Sequence, residues 1–420
     1  MFFITITQVL GYIWDMLISF TVSNYKSILE PVTLNMVADE EDTSYADTLI
    51  KGSDGLINPV SVIYGPNGSG KSTVLDALKL LKMLVMKNDR HSAYSAKDCT
   101  FVPRNRAARE DMPTTLRVVF ERAHLYVMEI SIINDMVSGS VGWYHDGISE
   151  TVITINKSRL KDFKLTEDIS KGHIHYSNVF AFFRSLSVFN AIENTSELNG
   201  DLRLTKEASQ YVNSPDNPVQ GLVFIDDGNA EKKINLYTSL LNSFGTGITE
   251  VNFSKSLETR PYGSSKEDSK PRKLLVPETV YYGDISIPIA YESSGTKRLL
   301  KTAFIICNAL FYNDKVILID ELDAGLHDML STEIVKQFIA RNTDSKCQLI
   351  FTTHNTRLMG SHLLRKDQIW FTQMTPERTT DLYSLSDLDN APRPTADFAE
   401  EYLNGRYGAV PAIQNSMSQE

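Results

Sequence analysis

The chain has 420 residues, 42% of them hydrophobic, and carries 52 acidic against 42 basic side chains for a formal charge of −10. That length and apolar content support a large buried core, as one elaborated α/β domain or two domains. The charge excludes a nucleic-acid binder that works by overall attraction and leaves only local basic patches for such a role. The three cysteines, Cys99, Cys307 and Cys347, stand far apart without paired spacing. They read as reduced thiols of a cytoplasmic protein, with no disulfide or zinc site.

Residues 1–15 are apolar but lack the basic start and small-residue cleavage site of an export signal, and Thr5, Thr7, Gln8 and Asp15 interrupt any span. They are expected to be an appendage without stable membrane association. A first strand follows at Leu17 to Val22, then strand-like stretches at Asn24 to Ile28 and Val32 to Met36, and an acidic loop from Asp39 to Asp54. Pro59 to Tyr64 reads as a short buried strand and Thr73 to Val85 as a helix with an apolar face at Val74, Leu75, Leu78, Leu81, Leu84 and Val85.

Between that strand and helix lies Gly65-Pro66-Asn67-Gly68-Ser69-Gly70-Lys71-Ser72-Thr73. The spacing G-x-x-x-x-G-K-S closes a ring of backbone N–H groups around a phosphate, because glycines let the chain approach the anion. Lys71 is placed to reach the β and γ oxygens, and Ser72 to offer a hydroxyl to Mg²⁺. The helix start adds its positive dipole end.

Beyond this loop, Lys87 to Pro113 is irregular and holds Arg104, Arg106 and Arg109. Thr115 to Phe120, Leu125 to Ile133, Val141 to Tyr144 and Glu150 to Ile155 alternate as an antiparallel meander with turns at Asn134-Asp135 and Asp146-Gly147. Lys157, Arg159, Lys161 and Lys164 form a second basic group. Val179 to Ile192 and Ala230 to Phe244 read as helices, Glu258 to Arg272 as a polar linker, and Glu278 to Tyr282 with Ile285 to Ala290 as paired strands.

The last third alternates helix and strand: Ser294 to Leu310, Lys315 to Asp320, Met329 to Arg341, Cys347 to Thr353, then strands at Gln368 to Thr372 and Asp381 to Leu385. Val316-Ile317-Leu318-Ile319-Asp320-Glu321 is an apolar strand ending in two acids. In one sheet with the phosphate loop, Asp320 would serve Mg²⁺ and Glu321 would polarise the attacking water. His354 ends the next strand, where an imidazole could donate to the γ-phosphate or orient water. Glu292-Ser293-Ser294-Gly295-Thr296-Lys297-Arg298 opens a long helix with hydroxyl caps, a second anion-binding terminus. Two such termini on one chain point to ATP shared between two copies. The chemistry expected is hydrolysis of ATP to ADP and phosphate.

These residues resemble the ABC-type ATPases of the SMC and RecF branch, and most closely the AbiL/RloA-type abortive-infection ATPases. The resemblance is carried by Asn24-Tyr25-Lys26-Ser27, Glu292 to Arg298, Ile319 to His327, Gln348 to Asn355, Asp367 to Phe371 and Tyr402 to Pro411. It implies a P-loop fold with a mixed sheet flanked by helices and an inserted antiparallel-β and helical lobe. The divisions expected are 16–86 and 276–420 for the two parts of the ATPase head, 87–176 for a β-rich lobe, and 177–275 for a helical insertion and linker. The resemblance further implies a homodimer, or a higher oligomer, in which Ser293 and Gly295 of one copy cap ATP held by Lys71 and Ser72 of the other. Asp320 would bind Mg²⁺, Glu321 act as base and His354 as switch. Ser294 departs from the glycine usual in the signature of larger relatives. A sensor that controls a separately encoded effector in antiphage defence is the function implied; a DNA-repair clamp is the alternative, with DNA as partner.

Overall fold

A computed structural model describes residues 15–53, 55–86, 111–122, 124–145, 148–163, 165, 176–190, 202–204, 224–226, 228–261, 272–313, 315–343, 346–388, 392 and 396–411. In chain order the first elements are β1 (Met16–Ser23), β2 (Val32–Asn35), β3 (Ile50–Gly52), β4 (Gly55–Ile57), β5 (Val60–Tyr64) and α1 (Lys71–Met86). Then come β6 (Thr114–Arg122), β7 (His124–Ile133), β8 (Met136–His145), β9 (Ile148–Arg159), α2 (Tyr176–Ser185), β10 (Leu186–Asn190), β11 (Leu202–Leu204) and β12 (Phe224–Asp226). The remainder is α3 (Ala230–Ser243), β13 (Glu250–Pro261), β14 (Arg272–Tyr282), β15 (Ile285–Pro288), α4 (Ser294–Tyr312), β16 (Val316–Asp320), α5 (Asp328–Arg341), β17 (Gln348–Thr352), β18 (Ile369–Met374), β19 (Thr380–Ser384) and α6 (Phe398–Leu403).

Three larger sheets and the small β3-β4 pair organise the described strands. The central one runs β10-β16-β17-β5-β18-β19, parallel through β18 and antiparallel only at β19. Its middle strands are apolar on both faces, as a sheet covered on both sides requires. Ile63, Val316, Leu318, Ile350 and Trp370 pack with α1, α2 and the antiparallel sheet β2-β1-β6-β7-β8-β9. Val62, Tyr64, Ile317, Ile319, Leu349, Phe351 and Phe371 pack on the other side with α3, α4 and α5. A third sheet, β11-β13-β14-β12 with β15 on β14, lies beside α3 and α4, joined through Phe224, Tyr237, Phe253 and Phe304.

The α/β fold class with flanking helices is as expected, and most elements lie within a residue or two of their predicted places. Four stretches differ. Val179 to Ile192 is not one helix: α2 ends at Ser185 and Leu186–Asn190 becomes β10, pairing in parallel with β16 from Leu186↔Val316 to Asn190↔Asp320. An apolar run of that length suits either state, and the open edge of the parallel sheet decides it. Glu258 to Pro261 continues β13 rather than starting a linker, and residues 262–271 lie outside the described residues. Asn24 to Ile28 is a tight turn with Asn24 and Lys26 at positive φ, not a strand. The predicted loop from Asp39 to Asp54 contains β3, which pairs with β4.

The antiparallel sheet crosses the expected division at 86/87, because β1 and β2 join β6 to β9. Gln348 ties this sheet to the parallel one, its Oε1 accepting from Leu17 N at 2.7 Å and its Nε2 donating to Leu17 O at 2.9 Å. Among the described residues, no helix is long and apolar enough to cross a membrane. Cys307 and Cys347 are buried, and burial pushes the Cys307 thiol well up. Cys99 and the Arg104, Arg106 and Arg109 group lie outside the described residues.

Candidate nucleotide site

The phosphate loop leaves β5 at Tyr64 and enters α1 at Lys71. Gly65 and Gly70 have φ of +148° and +106°. A Cβ on Gly65 would stand 2.4 Å from Thr372 O, and one on Gly70 2.1 Å from Thr380 Oγ1, so neither place admits a side chain. Pro66, Asn67, Gly68, Ser69, Ser72 and Thr73 complete the loop; Ser69 is buried, while Asn67, Gly68 and Ser72 are exposed where a ligand would arrive.

Lys71 is buried, and its Nζ donates to the carbonyls of Gly65 at 2.8 Å and Pro66 at 3.1 Å. Burial lowers its pKa, while the carboxylates of Asp320, Glu321 and Asp323 act against that fall. A cation resting on loop carbonyls beside three acids can transfer to a phosphate without leaving its pocket.

Ser72, in the first turn of α1, and Asp320, at the C-terminal end of β16, meet from 248 residues apart. The Ser72 hydroxyl donates to Asp320 Oδ1 at 3.1 Å, and Thr352 Oγ1 donates to the same oxygen at 2.6 Å. A hydroxyl and a carboxylate oxygen so placed are the hard donors that Mg²⁺ takes from a protein, the rest of its shell coming from water and phosphate. The donor set therefore fits that ion.

Glu321 follows with φ +52°, a left-handed conformation costly for a residue with a Cβ. Three contacts hold it there: its N–H donates to Thr352 Oγ1 at 2.7 Å, Arg298 donates to its carbonyl, and the Leu322 N–H donates to Thr352 O at 3.0 Å. Thr352 thus orients both acids, its single proton going to Asp320 and its lone pair taking the Glu321 N–H. Neither Thr352 nor Arg298 was among the residues predicted for the site.

Asp323 is a third unpredicted member. Its Oδ2 accepts from the backbone N–H of His354 at 3.1 Å, while its buried Oδ1 has no partner among the described residues. Asn355 fixes the other flank of His354, donating to Asp328 O and Ser331 Oγ, both at 2.8 Å. Its own carbonyl accepts from Tyr64 OH at 3.1 Å. His354 therefore sits on a turn pinned to β5 and to the start of α5.

Burial and the Lys71 cation lower the His354 pKa, with Asp323, Glu321 and Asp320 opposing. The folded protein then holds fewer protons at this ring than the unfolded chain does, so stability is full above the ordinary histidine pKa near 6.5 and falls as pH drops through the lowered value. Replacing His354 with Gln should flatten the acid limb of a melting-temperature profile between about pH 5 and 7. An unchanged profile would count against a neutral His354.

Ser293 caps α4, its Oγ accepting from Thr296 N at 3.0 Å. Gly295 faces the loop after β16, where an added Cβ would lie 3.1 Å from Gly325 O. The start of α4 is thus pressed against the Glu321 to Leu326 segment of its own chain. Lys71 and Ser72 at the start of α1, Asp320 and Glu321 at the end of β16, and His354 just after β17 lie near one another.

A protein-family model described as the RecF/RecN/SMC N terminal domain matches residues 43–375. Among solved structures, the SMC head domain from Thermotoga maritima aligns with TM-score 0.42 and 16% identity, covering 88% of this chain and 98% of that one. An SmcHead bound to the C-winged helix domain of ScpA aligns with TM-score 0.44 and 14% identity over 89% and 97% of the two chains. The Smc head domain with an extended coiled coil, bound to the C-terminal domain of ScpA derived from Pyrococcus furiosus, gives 0.43 and 13% over 88% and 96%. No curated protein matches.

Proposed function

Because this chain belongs to the RecF/RecN/SMC N-terminal domain family, we propose that it is an ATP-binding and ATP-hydrolysing head that works as a homodimer. The observation that carries the reading is the meeting of Ser72 and Asp320 at 3.1 Å beside Lys71. Bound Mg²⁺ would neutralise charge on the phosphates. Ser72 and Asp320 would hold that ion, Lys71 would take the β and γ oxygens, the loop from Gly65 to Thr73 would cradle the phosphates, Glu321 would accept the proton of the attacking water, and His354 would orient that water.

Ser293 and Gly295 would complete the site in trans, each dimer forming two equivalent sites. Mixing Lys71→Ala with Ser293→Arg protein tests this. Each heterodimer combines both lesions in one site and leaves the other intact, so random pairing should restore about a quarter of the parental sites. Heterodimers that form without any recovered ATPase activity would refute shared sites.

The finer role we assign is regulator of a separately encoded effector in antiphage abortive infection. Its support is the resemblance at Tyr402 to Pro411, a tail that packs against the site: the Tyr402 ring lies 6.0 Å from that of Tyr64 and 5.3 Å from that of Phe371. Expression alone and with the neighbouring gene in phage-challenged cells decides it, protection by this chain alone being the contrary result. The second reading, a DNA clamp, is favoured by the family description and by exposed Lys157 and Arg159 on β9. It predicts DNA binding without a partner and with a steep salt dependence.

A further inference from the structure

The phosphate loop is backed by a chain of hydroxyls to which no role has been given above. Thr380, at the start of β19, lies with its Oγ1 2.8 Å from the carbonyl of Ser69 and 2.7 Å from Ser27 Oγ. Ser27 Oγ is in turn 3.4 Å from Thr73 Oγ1, and Ser27 O accepts from Thr380 N at 2.7 Å. A second pair sits alongside, with Ser69 Oγ 2.6 Å from Thr372 Oγ1 and Thr372 Oγ1 3.3 Å from Tyr64 O.

Each hydroxyl has one proton to give. Thr380 Oγ1 stands in donor geometry to both the Ser69 carbonyl and Ser27 Oγ, so its one proton is shared between them, and the Ser27 hydroxyl donates to Thr73 Oγ1. The network runs outward from Thr380, to the Ser69 carbonyl on one side and through Ser27 to Thr73 on the other. Its longest link, at 3.4 Å, joins Ser27 to Thr73, the last residue of the phosphate-loop motif. Lys26 fixes the turn that carries Ser27 through its ion pair with Asp76 of α1.

We infer that Ser27 and Thr380 are positioning residues of the nucleotide site, clamping the phosphate loop between the β1–β2 connection and the β18–β19 hairpin. The Thr73 hydroxyl, which accepts from Ser27, keeps its own proton to offer a phosphate oxygen, while the bond from Thr380 to the Ser69 carbonyl holds the loop in place. The Ser27 and Thr380 hydroxyls therefore act on nucleotide binding and leave the chemical step, which runs through Glu321, nearly untouched.

This inference rests on the ATP-binding reading, and the test separates the two. ATP affinity by equilibrium titration, together with KM and kcat, is measured for the parent, Lys71→Ala, Ser27→Ala, Thr380→Val and Thr380→Ser. Loss of one buried hydrogen bond in the cradle should weaken ATP binding and raise KM about tenfold for Ser27→Ala and Thr380→Val. Because the cradle holds ground and transition state alike, kcat should stay within about threefold. Thr380→Ser, which keeps the hydroxyl and loses the methyl, should restore parental KM. A Thr380→Val protein with parental affinity, an equal fall in kcat, or a Thr380→Ser variant as poor as Thr380→Val would each overturn the assignment. A parent that binds ATP no better than Lys71→Ala would overturn the ATP-binding reading as well.

Discussion

Replacing Glu321 with Gln is expected to leave ATP binding near its parental strength and to lower turnover at least about a hundredfold, the range over which a positioned general base contributes. The amide keeps the shape of the carboxylate and its two oxygen-sized tips but cannot accept the proton of the attacking water. The backbone is unaffected, since the N–H to Thr352 Oγ1 and the carbonyl to Arg298 are main-chain contacts that the substitution does not touch. The variant should therefore accumulate in the ATP-bound state and, if sites are shared, as a dimer. Single-turnover hydrolysis with Mg²⁺ and light scattering on the same sample read both effects. Parental turnover in the variant would remove Glu321 from the mechanism and move the search for a base to Asp323, whose Oδ1 is buried without a partner among the described residues.

The second large effect is on stability. Arg365 is almost fully buried and pairs with Asp367, Nη2 lying 2.9 Å from Oδ2 and Nε 3.0 Å from Oδ1. The same guanidinium donates to the carbonyls of Asp39 at 2.7 Å, Ser44 at 2.8 Å and Asp42, while Asp367 Oδ2 also accepts from Asp39 N at 2.6 Å. One side chain thus stitches the 39–45 loop to the turn that leads into β18. Arg365→Ala would leave a buried carboxylate without its cation and three carbonyls without their donor. Breaking one partner of a buried pair costs about 3 to 5 kcal/mol, a large part of a total of roughly 5 to 15. Lysine should recover only part of this, because an ammonium cannot span the forked set of acceptors. Urea unfolding of the three proteins measures it; a loss below about 1 kcal/mol in Arg365→Ala would mean the loop is held by other contacts.

Both effects converge on how the two ends of the chain are built into one head. β5 lies between β17 and β18, so the phosphate loop's supports come from residues about three hundred positions further on. Thr372 touches Ser69 and Thr380 touches Ser27 across that separation. The phosphate loop is consequently linked, through one or two contacts, to the turn at Ser27, to the β18–β19 hairpin and, by way of Tyr64, to the tail at Tyr402.

The order of elements, the phosphate loop and the acid pair were legible in the residues themselves. Glycine spacing, hydroxyl caps and runs of buried residues act over a few positions, and local backbone physics makes them repeatable. For the same reason Lys71 and Ser72 could be placed at a helix entry, and Asp320, Glu321 and His354 at strand ends, before any contact was known. What the tertiary structure decided has no local period. Leu186–Asn190 is a strand because the β16 edge offers it a parallel ladder, although its apolar run is equally suited to a helix. Thr352, Asp323, Ser27 and Thr380 enter the site through long-range hydrogen bonds made by common residue types, and these pairings cannot be read from the residues beside them in the chain. Arg365 reads as an ordinary surface charge until the 39–45 loop closes over it, because burial is a property of packing between distant segments.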